Sequence, residues 1–448
     1  MKKTYLFILI VLITIPTNVF AQEKDTTKYR RSSLYTMLIK HPDLQYGNEI
    51  AEAFYRMPNP DKFDDHNLPD YKEITSSLEG KTKKSNVNQS NQNDIMQFFD
   101  TNGIPRLVVA KWFNRDSDTG GFDMTLVGER GNYDASMRDV DLANLSSIGE
   151  ALLADAGEDL IEKTFVIVND ITYFEKKKAT KAIGGGLRIA GIIAEKALGV
   201  NNASTYGDMA GAITEQFAGF SVRITSYLYR LDWTEEVAAT FYQDYWFGNQ
   251  NPDSSRKTLF ENSDLFKVKY VGSHSTSAGN ISYNGITKAS EEDQILKVCV
   301  RALDKSIVEL QRQHDEFKVN VPIYQVNENG EIFVQIGLKE GINERSRFAV
   351  LETIETPEGR LTYKKVGEIA PVKGQIWDNR FMAAEEAAEI RYAGEKNKDE
   401  DAEGGNPDLT ATMFKKISGI TPYPGLLIRE VTIKTDSKGK TKKAKASK

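Results

Sequence analysis

Phe165-Val166-Ile167-Val168-Asn169-Asp170-Ile171-Thr172-Tyr173-Phe174 is the segment on which the reading of the fold turns. Its β-branched and aromatic residues suit a pleated sheet surface, and it is the strongest strand pattern in the chain. Immediately before it, Ser147-Ile148-Gly149-Glu150 has the Ser-x-x-Glu form of a capping box, opening a helix to about Ile161 with Ile148, Leu152, Ala156 and Leu160 on one face. Further back, Leu107 to Phe113 and Phe122 to Val127 read as strands. Strand, helix, strand in this order predicts a mixed sheet covered by helices.

Downstream, Phe220 to Leu231 alternates Val222, Ile224, Ser226 and Leu228 as a strand does. Asp232 or Thr234 then caps a helix bearing Val237, Phe241, Tyr242, Tyr245 and Trp246, and Leu265 to Val271 is a further strand. Ser290-x-x-Asp293 opens a long helix ending near Phe317, whose stripe Leu296, Cys299, Val300, Leu303, Ile307 and Leu310 places the single cysteine on a buried face. Between these elements, 179–219 is rich in Gly and Ala and reads as two short helices inserted into the domain.

From Lys318 the pattern changes to strands and turns. Asn329-Gly330, between Val319–Val326 and Ile332–Ile336, suits a type I′ hairpin. Pro357-Glu358-Gly359 joins a second pair, Phe348–Ile354 and Leu361–Ile369, and Leu426 to Ile433 is a last strand. The expected fold class is therefore α+β: a mixed sheet with covering helices plus a C-terminal small β-barrel.

The expected domain order follows. Residues 1–21 form a leader, 22–94 a helical and extended segment ending in a polar linker, 95–317 the α/β domain, 318–433 the barrel with an acidic insertion at 395–408, and 434–448 a lysine-rich tail. In the first segment Ser33 to Tyr55 has a helical pattern interrupted at His41-Pro42, and Glu79 to Asn93 reads as a solvated linker.

The leader has three parts. Lys2 and Lys3 are followed by the apolar run Tyr5–Ile15, and Val19-Phe20-Ala21 offers small residues before Gln22. This is the pattern of a cleaved export signal. An exported protein, periplasmic or extracellular, is expected; it is not a lipoprotein, because no cysteine follows the cleavage position. No transmembrane span is expected after cleavage, since the longest candidate, Ala182 to Val200, carries Arg188, Glu195 and Lys196.

Composition limits the function classes. The 448 residues are 40% hydrophobic and 27% charged, as in chains that bury real cores. One cysteine permits neither an internal disulfide nor a thiolate zinc site. A net charge of −6 points to no nucleic-acid partner.

Catalytic signatures are incomplete. Gly272-Ser273-His274-Ser275-Thr276 lacks the second glycine of a nucleophile elbow. The four histidines, His41, His66, His274 and His314, have no metal spacing. Asp64-Asp65-His66, in a Pro-bounded loop, reads as a group of side chains facing water, and His314 as packing. Asp116-x-Asp118-x-Gly120-Gly121 begins like a calcium loop, but position 12 is Val127, so a turn between strands is expected. Gly184-Gly185-Gly186 lacks the Lys-Ser/Thr of a phosphate loop. No catalytic residue, cofactor or metal ligand is assigned.

Aromatic crowding is the remaining signal. Tyr229, Trp233, Tyr242 and Trp246 form the candidate binding surface for a glycan or peptide, weighed against a core role at helical spacing. The tail, with seven lysines and one acid over 434–448, reads as disordered, with two open roles: electrostatic contact with anionic surfaces, or solubility alone.

One resemblance adds to this reading. Ile332-Phe333-Val334-Gln335-Ile336-Gly337-Leu338-Lys339-Glu340-Gly341-Ile342, then Arg347-Phe348-Ala349-Val350 and Lys365-Val366-Gly367-Glu368-Ile369, resembles the C-terminal SH3-like barrel of flagellar assembly proteins of the T type. The helix Ser147–Ile161 leading into Phe165–Val168 is similar to the α/β domain shared by curli-secretion lipoproteins and the TolB N-terminal domain. The chain departs from these families in lacking the lipoprotein cysteine and in carrying the 179–219 and acidic insertions. The resemblance implies a non-enzymatic envelope scaffold, adaptor or secretion accessory, with envelope proteins or cell-surface polymers as partners. A glycan- or peptide-binding module using 227–247 is the alternative, and a secreted hydrolase the third.

Overall fold

A computed structural model of the chain describes residues 32–75, 87–133, 160–174, 220–279, 290–355, 361–392 and 405–431. The leader, the Ser147–Glu150 capping box, the Gly/Ala-rich 179–219 segment, most of the acidic insertion and the 434–448 tail lie outside the described residues.

The expected α+β class is the one observed. Its first unit is a mixed sheet built on β1 (Ser33–Lys40), β2 (Asp64–Asp65), β3 (Glu73–Thr75), β4 (Thr164–Tyr173), β5 (Ser221–Leu231) and β6 (Val268–Gly279). Strand β1 lies parallel to β4 with Ser33 opposite Thr164, and β2 and β3 both pair in parallel with its other edge. Strands β4, β5 and β6 then run antiparallel to one another. The segment quoted at the outset is thus central, with Phe165 to Val168 all fully buried.

Helices cover both faces. On one lie α1 (Gly47–Arg56) and the long α7 (Glu291–Gln313), packed on Phe165, Ile167, Ile224 and Leu228 through Ile50, Cys299 and Leu303. On the other lie α2 (Val87–Asn102), α3 (Ile104–Trp112), α4 (Thr125–Tyr133), α5 (Glu235–Thr240) with a π-turn at Phe241–Tyr245, and α6 (Ser254–Glu261). They close over Val166, Val168, Tyr227 and Tyr229 with Phe99, Trp112, Phe113 and Phe241. Each large apolar side chain fully buried in this way is worth about 1.5–3 kcal/mol before entropy. Two caps fall where the sequence put them: Thr234 accepts from Val237 N, and Ser290 from Asp293 N.

Four local expectations are corrected. Ser33–Lys40 is a strand, not part of a helix: it is buried on both faces, so no period-2 alternation marked it. Leu107–Phe113 lies largely in helix α3, which Pro105 opens at its first turn and whose Val108, Val109 and Trp112 are buried. Phe122–Val127 is likewise no strand; Phe122 makes an isolated bridge to Gly248 and α4 starts at Thr125. The polar stretch up to Asn93 is helical from Val87, its helix docked by Ile95 and Phe99. In the first three cases tertiary burial outweighed local propensity.

The second unit comprises β7 (Val321–Pro322), β8 (Gln325–Val326), β9 (Ile332–Val334), β10 (Phe348–Glu355), β11 (Leu361–Pro371), β12 (Thr412–Gly419) and β13 (Leu427–Glu430), with helix α8 (Ala383–Tyr392) between β11 and β12. The strands form one antiparallel sheet in the order β7-β13-β10-β11-β12-β9-β8. Its two outermost strands are neighbours in the chain. Ile323 N donates to Leu426 O on one edge at 2.8 Å, and Tyr324 N to Phe333 O on the other at 3.0 Å. One short segment therefore serves both edges and curls the sheet into a half-barrel around Ile323, Ile332, Val350, Ile369, Phe414 and Ile428. The Asn329-Gly330 hairpin is present, but not as type I′. Only Gly330 has positive φ, and the Asn327 side chain accepts from Asn329 N and Glu331 N, holding a longer turn.

Candidate functional site

The two units meet along α7. Arg312 near its C-terminus donates to Glu430 Oε1 and Oε2 at 3.0 and 3.2 Å and to Gly341 O at 2.8 Å, tying helix to barrel. At mid-helix, Arg301 donates to Phe381 O at 2.9 and 3.1 Å and to Glu386 Oε2 at 2.8 Å. The loop after α1 closes the seam from the other side, with Asp61 Oδ1 3.2 Å from Lys339 Nζ and Lys62 Nζ donating to Gln335 O at 3.0 Å.

Between these ties lies a cavity of about 100 Å³ lined by Pro60, Leu303, Asp304, Lys339, Asn379 and Phe381, among others. A smaller one of about 50 Å³ adjoins it, sharing Met57 to Pro60 and Leu303. The Lys339 end is shaped by the short 3₁₀ turn Leu338–Glu340. Its backbone is fixed by Gly337 N donating to Glu340 Oε2 at 2.6 Å and Lys339 N to Asn379 Oδ1 at 2.8 Å. A Cβ at Gly337 would sit 2.1 Å from Trp377 O, so glycine is what lets the turn approach this closely.

Charge in the seam is uneven. Burial pushes the Asp304 carboxyl up to about 7; Lys339 pulls it back, while Glu340 and Asp61 push it further. Burial also works against the Lys339 ammonium, yet Asp304 and Asp61 hold it above its ordinary value. For Asp61, burial again opposes ionisation, but Lys62 and Lys339 prevail and hold the carboxyl down. Asp304 Oδ2 and Glu340 Oε1 are both closed to solvent and meet no hydrogen-bond partner. Sequence reading had no means to find Asp304, because its neighbours Asp61, Lys339 and Asn379 come from three distant segments.

The histidines resolve differently from the sequence expectation. His66 is fully buried rather than a surface residue of its loop. Arg130, itself buried, can only donate, so its 2.9 Å contact makes His66 Nδ1 the acceptor and leaves Nε2–H to donate to Val108 O at 2.9 Å. Burial and the Arg130 charge hold the His66 pKa well below its ordinary value, so the ring is neutral. Arg130 also donates to Ser33 Oγ and Asp65 O, and its guanidinium lies 4.4 Å from the Trp112 ring centroid. This polar network locks β1, β2, α3 and α4 together.

His41, at the C-terminal end of β1, meets Asp170 Oδ1 at 2.7 Å, and Asn91 donates to Asp170 Oδ2 at 2.9 Å. His274 lies on extended β6 and contacts Gln313 at 2.9 Å, so the Gly272–Thr276 stretch is no nucleophile elbow. His314 packs on the bare backbone of Gly272, as expected of a packing residue.

The four aromatic site candidates do not form a surface. Tyr229 is fully buried and Trp233 nearly so, while Tyr242 and Trp246 pack onto the same cluster. Trp233, Tyr242 and Trp246 all stack or abut Phe113 and Phe241 at centroid distances of 4.5–5.9 Å among these rings. The core role is the one realised. The Asp116 loop is a turn whose carboxylate is occupied by Thr119 N and Oγ1 at 2.7 and 2.9 Å and Asp118 N at 3.0 Å. It joins helices α3 and α4 rather than strands.

Comparison with known proteins adds no identity: no protein-family model matches the chain, and no curated protein matches it. Among the described residues, no helix is long and apolar enough to cross a membrane.

Proposed function

We propose that this chain is a non-enzymatic exported protein of the cell envelope, acting as an adaptor or secretion and assembly accessory. The observation that carries the reading is the outer surface of the barrel. Ile417, Ile420 and Tyr423 stand 47, 41 and 41% exposed within seven residues, next to Lys415 and Lys416. Large side chains with apolar surface exposed so close together in the chain, on a strand and its following turn, fit a surface that a partner covers. The ties from α7 hold that surface at a fixed place on the α/β unit, which suits a part that positions a partner.

The leader pattern at 1–21 supports export, to periplasm or medium, without a lipid anchor. The resemblance to flagellar-assembly and TolB or curli-secretion domains supports an envelope partner, either a protein or a cell-surface polymer. The lysine-rich tail adds electrostatic attraction to anionic surfaces.

The test is site-specific photocrosslinking in intact cells, with the crosslinker at Ile417, Ile420 or Tyr423. Leu259, 56% exposed on α6, serves as the control position. A discrete crosslinked envelope species from the barrel positions and none from Leu259 is the expected result. Equal, diffuse labelling from all four positions would sink the proposal, as would recovery of the chain in the cytoplasmic fraction alone.

A further inference from the structure

The seam cavity is lined by carbon from Pro60, Leu303 and Phe381 and by the polar side chains of Asp304, Lys339 and Asn379. Its cations are already engaged. Lys339 faces Asp61, and Arg301 is held by Glu386 and the Phe381 carbonyl. Asn379 is likewise committed, accepting from Lys339 N and donating to Glu340 Oε2 at 2.7 Å. What remains over is acceptor capacity: Asp304 lines the cavity, and its carboxylate, with Oδ2 closed to solvent and without a donor, is left short of partners. A buried carboxylate oxygen without a partner is costly, and the cost is relieved by any ligand that brings a donor and a positive charge. An anion would be repelled by Asp304 in the lining and by the charges of Glu340 and Asp61 that act on it, and a purely apolar ligand would leave the Asp304 charge uncompensated.

Size narrows the choice further. A cavity of about 150 Å³ accepts a benzene ring, so the 100 Å³ available here takes an unbranched chain of a few carbons. We propose that the seam pocket binds a primary alkylammonium group, its nitrogen meeting the Asp304 carboxylate and its chain lying along Pro60, Leu303 and Phe381. The same chemistry comes from a free small amine or from a lysine side chain presented by a partner, and the experiment separates the two.

The full chain is titrated calorimetrically at pH 8, where Asp304 is ionised, with n-butylammonium chloride at constant ionic strength and with n-butanol as a probe of equal shape and no charge. Saturable binding of butylammonium and at least tenfold weaker binding of butanol are expected. Asp304→Asn, close in size to the original side chain, is expected to weaken butylammonium at least tenfold. Nα-acetyl-lysine methylamide is then compared: binding that Asp304→Asn removes assigns a lysine side chain, and no binding, with butylammonium retained, assigns a free amine. Absence of saturable butylammonium binding, equal binding of butanol, or full binding by folded Asp304→Asn overturns the proposal. The comparison of the two probes on the unaltered chain decides even if the variant does not fold.

Discussion

The Arg130 guanidinium donates to His66 Nδ1 at 2.9 Å inside the protein, so a cation and an imidazole share one buried site only because the imidazole is neutral. Protonating His66 would put two positive charges in contact and remove the acceptor. The folded pKa of His66 is depressed below its unfolded value near 6.5. Below that value the unfolded chain binds more protons than the folded one. This contribution to stability is therefore complete above about pH 6.5 and is lost as pH falls towards the folded pKa. Urea unfolding at pH 7.5 and pH 5 is expected to show lower stability at pH 5. His66→Gln should flatten that slope while lowering stability at pH 7.5 by about 1–3 kcal/mol.

Asp304 acts in the opposite direction. Its folded pKa, raised to about 7, lies above the unfolded carboxyl value, so the folded chain holds the extra proton between the two. Stability from this group is full at low pH and is lost as pH rises through about 7. Asp304→Asn is expected to melt higher than the unaltered chain at pH 8, with the gap narrowing towards pH 5. A gap that widens on acidification would contradict the assignment.

Arg312 spans the seam with a two-pronged contact to Glu430 and a third bond to Gly341 O. Hydrogen bonds to charged groups are worth about 1.5–3 kcal/mol where partly buried. Arg312→Ala is expected to cost about that much. Limited proteolysis should then cut the connection between α7 and β7 faster than in the unaltered chain.

Gly419 closes β12 at φ +88°, and a Cβ there would lie 2.1 Å from Val366 O. The left-handed conformation alone costs a side chain about 1–2 kcal/mol, and the clash is with backbone. Gly419→Ala is expected to lose more than about 2 kcal/mol, whereas Gly374→Ala, also at positive φ but open to space, should lose only the conformational part. Thermal melts of the two variants check this.

Cys299 is fully buried on α7, and burial pushes its thiol up to about 12. Modification by an aromatic disulfide reagent at pH 8 is expected to follow unfolding rather than direct attack. Its rate should rise with urea in step with the unfolding transition. Rapid labelling of the folded chain would contradict the packing.

The strongest elements were readable because local and global signals agreed. Phe165–Phe174 and Phe220–Leu231 are β-branched and aromatic in sequence and central in the sheet. Ser290 and Thr234 are caps in both. Ser33–Lys40 misled because a strand buried on both faces lacks alternation. Val108-Val109 misled because a β-branched run was overruled by Pro105 before it and by burial around Trp112. His66 reads as a surface group in sequence because its burying partner, Arg130, stands 64 residues away.

By itself, then, the sequence determined the α+β class, the order of a helix-covered sheet before a barrel, the buried cysteine and the core role favoured for aromatic residues at helical spacing. These depend on side-chain type and spacing within one element, which a single segment carries. Tertiary structure alone decided the curling of the half-barrel through Ile323 and Tyr324, the neutral state of His66 and the seam around Asp304. Each of these depends on which distant groups share a low-dielectric space, and that is set by packing rather than by neighbours in the chain.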